Sequence, residues 1–117
     1  PSRWIKEDTF MNKVSLGEMA EATKKMVVNS VEAFVKNDED LVKQVIKADD
    51  IVDGLFDQVK EEIVSLIKDK GIGAKESLDL LMAAKYFERI GDHAVNIAEW
   101  VEYSITGVHT NNEHVNQ

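Results

Sequence analysis

Helix breakers are nearly absent from this 117-residue chain: its one proline is the first residue, and its six glycines mostly stand at candidate junctions. With so little to interrupt a 3.6-residue period, long helices are the expected elements. Ser15 and Glu18 have capping-box spacing, and Leu16, Met19, Ala22 or Thr23, Met26, Ser30 and Ala33 then recur at steps of three and four. This predicts a first helix from about Leu16 to Asn37. Asp38 is a candidate N-cap for a second helix with the seam Leu41, Val45, Ala48, Val52, Leu55, Val59 and Leu66, ended by Gly71 behind Lys68 and Lys70. A third, from about Ala74 to Thr106, has the seam Leu80, Ala84, Phe87, Gly91, Ala94, Ala98, Val101 and Ile105, with Gly107 placed to end it. The short Gly-Ile-Gly joint after the second helix predicts a long antiparallel hairpin, with the first helix covering its apolar groove.

One domain is expected from this length. Residues 1–14 hold Trp4, Ile5 and Phe10 without a clear period and read as a linker or N-terminal extension; 15–107 form the helical domain; 108–117, with His109 and His114, read as a disordered polar tail. No stretch of about 18 residues is uniformly apolar, and no signal peptide opens the chain, so a cytoplasmic location is expected. The absence of cysteine excludes disulfides and thiolate chemistry. A formal net charge of -8 without clustered Lys and Arg argues against nucleic acid.

Beside the second helix's seam runs another stripe, Val42, Ile46, Asp49, Asp53, Phe56, Ile63 and Ile67, where two aspartates hold positions otherwise apolar. On the third helix, Leu81, Glu88, Asp92, Val95 and Glu99 repeat the pattern, with Lys85 and Asn96 alongside. Residues four apart lie about 40° apart around the axis, so each pair points its oxygens one way. Partly buried carboxylates so crowded call for a proton, a cation or several donors. In a hairpin the two pairs stand roughly opposite, which permits one shared cation site. A solvated or Lys85- and Arg89-paired acidic face is the commoner outcome of such spacing. His93 lies about 100° from Asp92 and reads as a surface residue. Neither hairpin helix has the Glu-x-x-His pair of di-iron bundles, and no nucleophile triad or phosphate-binding glycine loop is present.

The stretch FERIGDHAVNIAEWV, Phe87 to Val101, resembles the signature near the end of the last helix in PhoU proteins. LGEMAEATKKMVVNSVEAFVKNDEDL and DDIVDGLFDQVKEEI are similar to that family's first and second helices, in order. The resemblance implies an all-α, three-helix antiparallel bundle, one repeat of a PhoU-like, spectrin-repeat-like fold, here of the C-terminal type. It also implies that Asp49, Asp53, Glu88 and Asp92 bind a divalent or trivalent metal; oxygen ligands suit magnesium, manganese or calcium, with iron and zinc possible. The implied function is a non-enzymatic, cytoplasmic negative regulator of phosphate uptake at the membrane's inner face. Its implied partners are the ATPase component of the phosphate transporter and a sensor histidine kinase, and a single repeat is expected to self-associate as a homodimer or larger homo-oligomer. Two other readings stay open: a cytoplasmic domain of a sodium-phosphate cotransporter, and a carboxylate-cluster phosphohydrolase using metal-bound water.

Overall fold

In the computed structural model, which describes residues 14–115, three helices follow one another: α1 (Leu16–Lys36), α2 (Glu39–Lys70) and α3 (Ala74–Val115). Each pair of helices is in contact, so the expected three-helix bundle forms. It is long and narrow, 66 × 24 × 18 Å, and its long axis matches the roughly 63 Å of a 42-residue helix at 1.5 Å per residue.

The core is read directly from the apolar periods. In α1 Leu16, Met19, Thr23, Met26, Ser30 and Ala33 are buried, and the two hydroxyls among them donate to carbonyls of their own helix: Thr23 to Met19 O at 2.9 Å and Ser30 to Val27 O at 2.8 Å. A buried hydroxyl satisfied this way costs the core little. Val42, Val45, Val52, Val59, Ile63 and Leu66 come from α2, and Leu80, Ala84, Ala94, Ala98 and Val101 from α3. Part of each α2 stripe supplies them, because the core seam runs between the two: Leu41, Ala48 and Leu55 are only half-buried, while Val42 and Ile63 are inside.

Punctuation acts as expected at the α1–α2 and α2–α3 joints. Asp38 caps α2 through Oδ1, which accepts from Asp40 N at 2.9 Å and Leu41 N at 3.3 Å. Asn37 ends α1 at φ 51° and Gly71 ends α2 at φ 62°, both left-handed, with the Gly71 N–H donating to Ile67 O.

Two expectations fail. Ser15 makes no side-chain cap on α1; its hydroxyl and amide go instead to Glu62 of α2. Nor does α3 stop near Thr106, since it continues through Gly107 to Val115. Gly107 keeps a negative φ, and Thr106 Oγ1 donates back to Glu102 O at 2.6 Å. A lone glycine with no following proline costs about 1 kcal/mol, too little to break a helix. The expectations for Trp4, Ile5 and Phe10, and for residues 116–117, lie outside the described residues.

Candidate metal centre

Asp49 and Asp53 stand one turn apart on α2, the first half-buried and the second exposed. Glu88 and Asp92 occupy the same spacing on α3; the Glu88 side chain is 17% exposed and Asp92 is open to solvent. The hairpin brings the two pairs within each other's field. The Asp49 carboxyl is raised above its ordinary range first by burial, then by the charges of Asp53, Asp92, Asp50 and Glu88. Asp53 is raised by burial and then by Glu88, Asp92, Asp50 and Asp57. Each α2 aspartate therefore feels both carboxylates of α3.

One oxygen in this group is anomalous: Asp49 Oδ1 is buried and has no hydrogen-bond partner. An unpaired buried carboxylate oxygen is costly unless a proton or cation meets it. Its neighbour Glu88 is better served, because Lys85 Nζ donates to Glu88 Oε1 at 2.8 Å. Lys85 also lies 5.5 Å from the centre of the Phe56 ring, and Lys60, paired to Asp57 at 3.1 Å, lies 4.9 Å from the same ring. Two ammonium groups thus border the acidic face at Phe56.

The donor set, all carboxylate oxygen with one oxygen orphaned, fits a hard cation chemically. Geometrically it is an open face rather than a closed cage. Among the described residues no three His, Asp or Glu side chains converge closely enough to hold a metal ion. The expected Lys85 pair exists, whereas Arg89, His93, Asn96 and Glu99 are exposed around the face. Sequence reasoning missed the part played by Asp50 and Asp57 in the field on Asp49 and Asp53. Asp57 was legible as the next turn after Asp53; Asp50 lies 100° round the helix from Asp49 and acts only through distance.

Comparison with known proteins shows what the chain as a whole is similar to. The model of the PhoU domain matches residues 16–101, from the first residue of α1 to the last core valine of α3. The chain is 36% identical over 92 residues to the phosphate-specific transport system accessory protein PhoU homolog 1 of Thermotoga maritima, covering 79% of this chain and 40% of that protein. The PhoU homolog of Clostridium acetobutylicum is 33% identical over 89 residues, covering 76% and 41%. That of Pseudomonas aeruginosa is 33% identical over 94 residues, covering 80% and 39%. The chain thus spans about two-fifths of the length of these relatives. No solved structure matches it.

Proposed function

This chain belongs to the PhoU domain family, and from that membership we propose that it is a regulatory module of phosphate transport rather than an enzyme. The observation that carries the reading is the extent of the family match, which takes in all three helices and both carboxylate pairs. The relatives bear the name of accessory proteins of phosphate-specific transport. The module restrains uptake and the phosphate-starvation response when phosphate is plentiful, through contacts with the transporter's ATPase component and a sensor histidine kinase. It works from the cytoplasmic face of the membrane; among the described residues no helix is long and apolar enough to cross one.

The acidic face is the working surface of this proposal. Asp49, Asp53, Glu88 and Asp92 would hold a divalent or trivalent cation, with magnesium, manganese, iron and zinc as the candidates. The orphaned Asp49 Oδ1 and the raised Asp49 and Asp53 carboxyls support this, because both mark a shortage of positive charge. A bound cation would relieve that repulsion and offer open positions to phosphate or to an acidic group of a partner. Self-association of the chain completes the proposal.

The test is phosphate uptake in bacteria lacking their own regulator. A protein carrying this chain should lower uptake in phosphate-rich medium, and Asp53→Asn with Asp92→Asn should weaken that effect. Uptake unchanged by the native protein, at matched expression, would count against the regulatory role.

A further inference from the structure

The acidic face has a cation of its own. Lys85 stands one turn before Glu88 on α3, and its ammonium donates to Glu88 Oε1 at 2.8 Å while lying 5.5 Å from the centre of the Phe56 ring on α2. Lys60 lies 4.9 Å from the same ring and is held by Asp57 at 3.1 Å. Both ammonium groups therefore gather at one end of the face. Phe56 follows Asp49 by seven residues, which on a straight helix is roughly 10 Å along the axis. Glu88 is thus tied to the Phe56 end, whereas the buried, partnerless Asp49 Oδ1 lies toward the other. Among the described residues no Lys or Arg pairs with Asp49, Asp53 or Asp92.

We propose that Lys85 is an exchangeable counter-ion of the acidic face: its ammonium holds Glu88 apart from the other three carboxylates, yields it when a cation binds, and by its charge sets how tightly the face takes metal. This rests on the reading of that face as a cation site. The donor set suits a hard cation, yet no three of the described carboxylates converge on one point. Glu88 is the member of the four that is bonded elsewhere. Release of Lys85 costs little, because the lysine side chain is 51% exposed, the pair is a local one on the helix surface, and the flexible stem can carry the ammonium into water. Glu88 itself is only 17% exposed, too covered to be left without a partner. One positive charge must therefore replace another, and the two compete for the same oxygens.

The test is titration of the full chain with manganese(II), read from the electron paramagnetic resonance signal of the free ion, for the native protein, Lys85→Met, Lys85→Arg and Lys24→Met. A unit and a double charge about 6 Å apart in water repel enough to change an affinity roughly tenfold. Lys85→Met should therefore bind manganese about tenfold more tightly than the native chain. Lys85→Arg keeps the charge and should stay near the native value. Lys24→Met removes the same unit of charge from the exposed surface of α1 and should also stay near it. Circular dichroism confirms that the variants keep their helices, and Lys85→Gln serves as a second neutral variant. Native binding that both neutral variants leave unchanged or weaken would overturn the proposal while the cation site stands, as would equal tightening by Lys24→Met. A native chain that takes no manganese would remove the site itself, and the proposal with it.

Discussion

Glu62, midway along the C-terminal half of α2, accepts two hydrogen bonds from Ser15, 47 residues earlier: Ser15 N to Oε1 at 2.7 Å and Ser15 Oγ to Oε2 at 3.2 Å. Gln58 Nε2 donates to the same Ser15 oxygen at 2.8 Å. The start of α1 is thus pinned to the side of α2 by a carboxylate that takes over the role of a local cap. The bond from Ser15 N satisfies an amide beside the buried Val14 and Leu16, which fixes the chain's entry into the core.

Glu62→Ala should therefore destabilise the bundle by about 1–3 kcal/mol, since it removes both charge-assisted bonds at once. Ser15→Ala should cost less, because the backbone bond to Glu62 survives. Urea unfolding of both variants checks the order; equal losses would mean that the hydroxyl, rather than the amide, anchors the contact.

Gly91 gives a stabilising substitution. A Cβ built there would meet Met26 Sδ and Thr23 Cγ2 at 3.6 Å, which is ordinary van der Waals contact. The helix crossing does not require a glycine, so Gly91→Ala should recover the helix propensity that glycine loses, about 0.5–1 kcal/mol. A thermal midpoint raised by a few degrees is expected; a lowered one would show that Met26 cannot accommodate the methyl group.

The bundle was legible because its signals are local. Periodicity named every buried position of α1, and Asp38 and Gly71 announced their own joints. Two features escaped for physical reasons. Ser15 bonds to Glu62 rather than to its own helix, a tertiary choice that spacing does not encode. Gly107 is a breaker only where the chain can leave the helix at low cost, and here α3 runs on. At the acidic face, sequence identified which carboxylates share a side but not that Asp49 Oδ1 would be buried without a partner. Burial of one oxygen depends on how α2 is rotated against its neighbours, and a two-stripe helix leaves that rotation open by tens of degrees.

Crowding at this face sets a pH dependence. Asp49 and Asp53 have folded-state carboxyls raised above the ordinary 3.8. A raised carboxyl contributes stability that is complete below the unfolded value and is lost as pH rises through the folded one. In metal-free buffer, the two groups should thus favour the fold increasingly as pH falls from neutrality toward 3.8. Asp49→Asn should remove part of that rise. At neutral pH it should also gain roughly 0.2–0.5 kcal/mol from the broken Asp53 repulsion alone. Thermal midpoints of both proteins across this range decide it: a native profile parallel to the variant's would mean that the Asp49 charge is not strained.

The most direct test of the acidic face as a cation site is the metal content per chain, by elemental analysis of untagged protein equilibrated with magnesium, manganese, iron or zinc and then freed of excess. The native chain should retain metal, and Asp53→Asn with Asp92→Asn should lose it while keeping its helical circular dichroism. Equal retention in the two proteins would place any cation elsewhere, and no retention in the native chain would reduce the four carboxylates to a solvated face.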